Sequence, residues 1–485
     1  MKDENMVIHF IGIGGIGMSG LAQMYKELGF TVTGSDRGYG KKENEAIFAP
    51  LEKQGIKIYP QDGAYYKDNQ HNLTVVYSTA IEKTNPDIIM ARENNISLKH
   101  RSEALAEAIK LKCDLNKKND IKSIAIAGSC GKTTVSSYTA EMLKLITKQS
   151  SFLSGGIVNR FATDTLVGNY YSSKKATYFV FEADESDKSL INYNVDYAII
   201  LNAENDHYPR EELLKVFKKF IKKIRHGLII EYDLYQEYPK NVFKEISVKT
   251  FSKNNKKADF FVTNYTANRG EFMTIIKDNT TKNEYNIKMI NPGLHNASNI
   301  CSIMALFSEL KDIKLSEASK HFSNLKGAWR RFNYRGKLAT GAKIFDDYAH
   351  NVSKLQSCLQ AAREATSCKK AKIYLIFQPH GYGPLKIMQN ELLAMLHDQL
   401  NANEFFYFLP VYYAGGTTSF TPKSKDVVKN YYQKNNKPKN IEYIAKRSQI
   451  ASMLKKQTVS DDIIIIAGAR DNSLATWGTE LSLKK

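Results

Sequence analysis

The chain has 485 residues, 42% hydrophobic and 25% charged, which suits about three folded domains of roughly 150 residues and excludes a small module, wholesale disorder and a membrane bundle. Sixty-nine Lys and Arg against 50 Asp and Glu give a formal net charge of +19, which suits anionic ligands such as nucleotides or nucleic acid without choosing between them. The five cysteines (Cys113, Cys130, Cys301, Cys358, Cys368) lack C-x-x-C spacing, so a reducing cytosol is expected rather than a zinc cluster or a disulfide framework.

Short apolar runs at 7–11, 74–78, 123–127, 178–182, 197–201, 373–377 and 463–467 alternate with amphipathic helical stretches, the pattern of parallel α/β sheets. None reaches the ~18 residues of a spanning helix, and Asp3 and Glu4 stand where a secretory signal carries basic residues, so a cytoplasmic protein without a membrane span is expected. The polar stretch 114–122 separates two units that each begin with a strand and a Gly-rich loop, which places a first domain at 1–116. The stretch 212–225 puts Leu213, Phe217, Phe220, Ile221 and Ile224 on one helical face and five lysines on the other, predicting a core-facing helix with a solvated side. From about 234 to 291, short alternating segments predict an antiparallel insert within a second domain at 117–326, before helix returns at 296–310. A third α/β unit, 327–485, opens with Trp329-Arg330-Arg331-Phe332 and a strand pair leading into Asp346-Asp347.

The loop Gly12-Ile13-Gly14-Gly15-Ile16-Gly17 follows the first strand and opens a helix, with Asp36 after the next strand. Glycines there permit a tight turn and close approach of phosphate to the N–H groups of a helix N-terminus. Alone, the loop suggests a nicotinamide dehydrogenase, although it suits any diphosphate and such a turn also stands without a ligand. Gly128-Ser129-Cys130-Gly131-Lys132-Thr133-Thr134 repeats the strand, loop and helix context: its N–H groups cradle phosphates, Lys132 neutralises charge and Thr133 reaches Mg2+. The first glycine of a full-length phosphate loop would fall at Ile126, so this is a shortened variant. Glu182-Ala183-Asp184-Glu185-Ser186-Asp187 begins at a strand end, and four acids in six residues suggest Mg2+ at Glu182, with a solvated acidic turn as the plainer alternative. Asn202-Ala203-Glu204-Asn205-Asp206-His207 ends another strand and adds His207 as a second metal-site component.

These motifs stand in the order of the Mur ligase family, which the chain resembles over nearly its whole length. Residues 10–21 resemble the first loop of the branch that acts on UDP-N-acetylmuramate and L-alanine, 76–81 its Ser-Ala-Ile segment, and 101–108 its Arg-Ala-Glu helix. The phosphate loop, 182–187 and Asp206-His207 continue the pattern, and 292–299 resembles the family's adenine-binding helix start. Arg330-Arg331-Phe332, Asp346-Asp347-Tyr348-Ala349-His350 and Phe377-Gln378-Pro379-His380 complete it. Leu294, Asn351, Gly381 and Arg470 depart from it, standing where the branch has Arg, His, Arg and Gly. Three of these four lie in the third domain, which in the family helps bind the incoming amino acid.

The resemblance implies an α/β protein of three domains: a Rossmann-like N-terminal domain, a central P-loop ATPase-like domain and a Rossmann-like C-terminal domain. It implies an ATP- and Mg2+-dependent ligase, monomer or homodimer, that joins L-alanine to the carboxylate of UDP-N-acetylmuramate through an acyl phosphate, with no nucleic-acid partner. A sibling ligase for another amino acid, a peptide or a related carboxylate is the alternative. The implied catalytic residues are Lys132, His207, Arg330 and His350, the last two brought in by closure of the third domain. ATP would meet Gly128, Ser129, Cys130, Gly131, Lys132, Thr133, Thr134, His295, Asn299, Arg330 and Asp346. The UDP-sugar would meet Gly12, Gly14, Gly15, Gly17, Met18, Ser19, Asp36, Ser78 and Thr79, and the metal Thr133, Glu182 and His207. Two readings from other classes compete. A nicotinamide oxidoreductase leaves Lys132 idle, and a basic nucleic-acid-binding ATPase lacks any recognised nucleic-acid module.

Overall fold

A computed structural model describes residues 6–41, 44–68, 71–115, 121–185, 188–204, 209–268, 270–368, 370–413, 419–435 and 439–483. The expected boundary near 116 and the metal candidate His207 lie outside the described residues, as do Ser186, Asp187 and Asp206. The chain divides into two compact units. The first holds 1–265, 274–290 and 294–329; the second holds 266–273, 291–293 and 330–485.

In the first unit the chain begins with β1 (Val7–Ile11), α1 (Ile16–Glu27), β2 (Thr31–Ser35), α2 (Glu45–Lys53), β3 (Lys57–Tyr59), β4 (Leu73–Tyr77), α3 (Pro86–Glu93), β5 (Ser97–His100) and α4 (Arg101–Leu115). The five strands pair in parallel in the order β3-β2-β1-β4-β5. Chain direction across the sheet reverses between β1 and β4, and open α/β sheets bind ligands beyond the strand ends at that point. The loop 12–15 and the turn after Tyr77 both lie there.

A second sheet is built from β6 (Lys122–Ala127), α5 (Lys132–Thr147), β7 (Ser151–Leu153), β8 (Tyr170–Ser172), β9 (Tyr178–Glu182), β10 (Val195–Ile200), α6 (Arg210–Ile221), β11 (Ile224–Glu231) and α7 (Tyr232–Gln236). It continues through β12 (Ser247–Ser252), β13 (Phe260–Asn268), β14 (Glu271–Asp278), β15 (Glu284–Met289), α8 (Leu294–Glu309) and α9 (Leu315–His321). Its ten strands run β15-β14-β13-β12-β11-β10-β6-β9-β7-β8. Two expectations need correction. The segment after 234 is continuous with the main sheet and begins in parallel, β12 pairing so with both β11 and β13; β13, β14 and β15 then follow as successive neighbours joined by short turns, which only antiparallel strands allow. The helix expected to 225 ends at Ile221, because Ile224 and the run Gly227–Ile230 pair with β10. Within α6 the lysines are exposed and Leu213, Phe217 and Phe220 are buried, as the amphipathic pattern implied.

The two sheets of this unit share a core, sealed by a buried lysine. Lys112 on α4 donates to Glu27 (2.9 Å) on α1 and to Tyr170 (3.1 Å) and Ser172 (2.9 Å) on β8. A buried ammonium is tolerable only when so paired and hydrogen-bonded.

The second unit contains β16 (Asn333–Lys337), β17 (Lys343–Asp347), α10 (Val352–Ala365), β18 (Ile373–Phe377), α11 (Tyr382–Gln399), β19 (Glu404–Phe408), α12 (Ser424–Lys434), β20 (Ile441–Tyr443), α13 (Arg447–Gln457), β21 (Ile463–Ala467) and α14 (Ser473–Leu483). The sheet order is β16-β17-β21-β18-β19-β20, antiparallel only at β16-β17, the expected strand pair. β18 and β21 are buried along their whole length, as their unbroken apolar sequences require of central parallel strands.

Candidate active site

After β1 the chain turns through Gly12 to Gly15, and Gly15 caps α1 without a side-chain hydrogen bond, its carbonyl accepting from Met18 N (3.0 Å) and Ser19 N (2.8 Å). Gly14 is compulsory: a Cβ there would lie 2.7 Å from Phe48 and 2.9 Å from Asp36. Asp36 accepts from the amides of Gly14 (2.8 Å) and Gly38 (2.7 Å), so its carboxylate shapes the loop. Met18 and Ser19 are buried, and the Ser19 hydroxyl bonds to Ile16 O and accepts from Asn169 (2.8 Å). Asn169 also donates to Ile16 O (2.5 Å), fastening the first turn of α1 to the central sheet. The turn holding Ser78 and Thr79 brings Ile81 over Gly12, and Arg101 stands over Gly17, within 3.3 Å of where its Cβ would be. That cation at the start of α1 was absent from the expected set, although its helix was among the recognised segments.

The second loop follows β6. Gly131 adopts φ +91°, and a Cβ there would lie 3.1 Å from Asn299 on α8, so the loop touches the helix whose first turn carries the exposed His295. Behind the loop, Asn202 exchanges hydrogen bonds with Cys130 N (2.9 Å) and O (3.0 Å), and Ser129 Oγ donates to Glu204 O (3.0 Å). Lys132 Nζ donates to Gly128 O (2.9 Å) and Glu185 (2.7 Å), with Asp184 at 3.7 Å. Burial alone would lower this ammonium, but Glu185, Asp184 and Glu182 together hold it above the ordinary lysine range.

Glu182, at the end of β9, is the most constrained carboxylate of this edge. Oε1 accepts from Ser136 (3.0 Å), Ser154 (3.0 Å) and Gly155 N (2.6 Å), and Oε2 from Thr133 Oγ1 (3.2 Å). A carboxylate and a hydroxyl so fixed are hard oxygen donors of the kind Mg2+ takes. Among the described residues no three His, Cys, Asp or Glu side chains form a metal cluster.

In the second unit Arg330 is fully buried and donates to Asp346 (3.2 Å), Gly468 O (2.5 Å) and Asp471 O (3.0 Å). Asp346, equally buried, also takes Arg335 (2.8 Å). Both side chains are thus engaged inside the unit, tying the ends of β17 and β21, where the resemblance implied contact with ATP. His350 donates from Nδ1 to Tyr348 O (2.8 Å), and its Nε2 faces Lys354 Nζ at 3.5 Å. Burial, with Lys354 beside it, lowers its pKa to about 4, so it is neutral at physiological pH. Asn351, one of the departures, caps α10 by accepting from Lys354 N (3.0 Å).

Comparison with known proteins agrees with this architecture. Residues 7–112 match the model described as Mur ligase family, catalytic domain; 126–307 match the Mur ligase middle domain, and 330–470 the Mur ligase, glutamate ligase domain. The chain belongs to the Mur ligase family. It is 32% identical over 487 residues to UDP-N-acetylmuramate--L-alanine ligase of Prochlorococcus marinus subsp. pastoris, covering 96% of this chain and 94% of that protein. Among solved structures it resembles UDP-N-acetylmuramate-alanine ligase of Thermotoga maritima, with TM-score 0.75, 24% identity and coverage of 99% and 98%. It also resembles a murein peptide ligase of Psychrobacter arcticus, with TM-score 0.65, 20% identity and coverage of 99% and 100%.

Proposed function

We propose that this protein is an ATP-dependent ligase that joins L-alanine to the carboxylate of UDP-N-acetylmuramate, a step of peptidoglycan precursor synthesis. The carrying observation is that the first unit presents two separate phosphate-type loops, each at the carboxyl ends of parallel strands in its own sheet. One, bearing Lys132 and Thr133, suits a nucleoside triphosphate; the other, beside Arg101, suits the diphosphate of a sugar nucleotide. The name of the Prochlorococcus relative supports the same reading. The peptide ligase likeness keeps a longer acceptor as the second reading.

In the forward reaction the sugar nucleotide's carboxylate attacks the γ-phosphorus of ATP, releasing ADP and giving an acyl phosphate, from which the amine then displaces phosphate. Lys132 offsets charge on the transferring phosphoryl group, exchanging its contact with Glu185 for the phosphate oxygens. Thr133 and Glu182 would hold Mg2+, which supplies further neutralisation of phosphate charge. The hydrogen bonds from Ser136, Ser154 and Gly155 hold Glu182 in one orientation, which removes reorganisation from the step.

The test is phosphate release with ATP, UDP-N-acetylmuramate and a panel of amino acids. Turnover should require both the sugar nucleotide and an amine, with L-alanine giving the highest kcat/KM. Equal turnover without the sugar nucleotide would remove the ligase reading, and a peptide outpacing every amino acid would favour the second reading.

A further inference from the structure

β7 and β8 are antiparallel neighbours, a pairing that a tight hairpin turn closes, yet the chain runs through 154–169 between them. A connection of that length inside a folded domain is usually functional. The register that pairs Leu153 with Tyr170 continues one step further, where Ser154 N donates to Asn169 O (2.8 Å). The first and last residues of the connection therefore stand opposite each other, both buried. Their side chains serve different places. Ser154 Oγ donates to Glu182 Oε1 (3.0 Å). Asn169 Nδ2 donates to Ile16 O (2.5 Å) and Ser19 Oγ (2.8 Å) in the first turn of α1, and its Oδ1 accepts from Gln23 (2.9 Å) one turn on.

α1 lies directly on this pair because Gly20 has no Cβ: one there would stand 2.6 Å from Leu153 Cδ1 and 3.2 Å from Asn169 Nδ2. Hydrogen bonds thus run without a break from Ser19 through Asn169 and Ser154 to Glu182, from the helix after the first glycine loop to the carboxylate beside Thr133. Ser19, Asn169 and Ser154 are all buried, so water does not compete for the links between them.

We propose that Asn169 is a positioning residue that couples the sugar-nucleotide loop to the metal-side carboxylate of the ATP site. The proposal rests on the ligase reading above. A sugar nucleotide that fixes the first turn of α1 fixes Asn169, and through Ser154 it fixes Glu182. Each ligand then tightens the other by the same factor, without a change of fold, because ordering one end of the chain leaves less disorder for the second ligand to remove. A second bond system separates coupling from packing. The Lys112 seal to Glu27, Tyr170 and Ser172 joins the same two sheets at the opposite end of α1.

Calorimetry measures the affinity for the Mg2+ complex of adenylyl imidodiphosphate, a non-hydrolysable ATP analogue, with and without saturating UDP-N-acetylmuramate. In wild type the sugar nucleotide should tighten it at least about fivefold. Asn169→Ala should bring the ratio below about twofold with little loss of stability, since Ile16 O keeps the Ser19 hydroxyl and Gln23 keeps Ser19 O. Ser154→Ala cuts the next link while leaving Ser136 and Gly155 on Glu182, and should lower the ratio equally. The double variant should lose no more than either single one, because both break one chain. Lys112→Met should lower the melting temperature and keep the wild-type ratio. No tightening in wild type, an unchanged ratio in Asn169→Ala, or an equal loss in Lys112→Met would overturn the role of Asn169 and leave the ligase reading standing. Failure of wild type to bind UDP-N-acetylmuramate would remove the ligase reading, and the coupling with it.

Discussion

The carboxyl edges of the central sheet and of the C-terminal sheet handle charge in opposite ways. At the central edge each charged group described above has an internal partner: Lys132 lies on Glu185, and Glu182 collects four donors. At the C-terminal edge the paired charge is buried beneath, in Arg330 and Asp346, while Arg331 and Arg470 stand above it among imidazoles. The first arrangement suits a phosphate that must be gripped and transferred, because preorganised donors need no rearrangement as charge moves. The second gathers positive charge and imidazoles at the strand ends above a neutralised pair. The buried pair beneath it keeps the strand ends rigid, since a guanidinium without its carboxylate has no water to turn to.

Breaking the buried pair should give the largest effect. Arg330→Met leaves Asp346 with only Arg335 and removes donors from Gly468 O and Asp471 O, at an expected cost of about 3–5 kcal/mol. Urea unfolding should show the loss in the transition of the C-terminal sheet, and an unchanged midpoint would contradict the rigid base ascribed to that edge.

Removing the central cation comes next. Lys132→Met should lower turnover at least ~100-fold, equivalent to about 2.7 kcal/mol of transition-state stabilisation. Because the mutation strands Glu185, the double variant with Glu185→Gln should regain stability without regaining activity. Recovery of turnover in the double variant would assign Lys132 a purely structural role.

Acid sharpens the contrast with a smaller effect. His350 has a folded pKa of about 4 against 6.5 when unfolded, so between those values the unfolded chain takes up the proton first. Stability from this group is complete above pH 6.5 and falls as pH drops toward 4, by up to roughly 1.4 kcal/mol per pH unit. His350→Gln should flatten that part of the stability profile, and an unaltered slope would show the imidazole to be solvated.

The seven apolar runs read from sequence all fall on strands, because parallel strands covered on both faces carry continuous apolar sequence. β5 escaped notice since Ser97–His100 is short and largely polar, its strand state imposed by pairing with β4. β11 was partly read as helix for the same reason: local periodicity favoured helix to 225, and pairing with β10 prevailed. The phosphate loop and Glu182 were legible because glycine spacing and a strand-end acid are local signals. The partners that orient them were not, since Asn202 lies 72 residues from Cys130 and Glu185 lies 53 from Lys132. Ser154-Gly155-Gly156, a Gly-rich turn after a strand, was the one readable hint of the Glu182 cradle. The engagement of Arg330 and Asp346 within the unit could not be read from motif order, because burial belongs to the folded sheet.

The most direct test of the proposed chemistry follows oxygen. UDP-N-acetylmuramate carrying 18O in both carboxylate oxygens is turned over with ATP and L-alanine, and the released phosphate is analysed by mass spectrometry. Attack of the carboxylate on the γ-phosphorus followed by amine displacement predicts one 18O in each phosphate and ADP as the nucleotide product. Unlabelled phosphate, or release of AMP and pyrophosphate, would contradict the account.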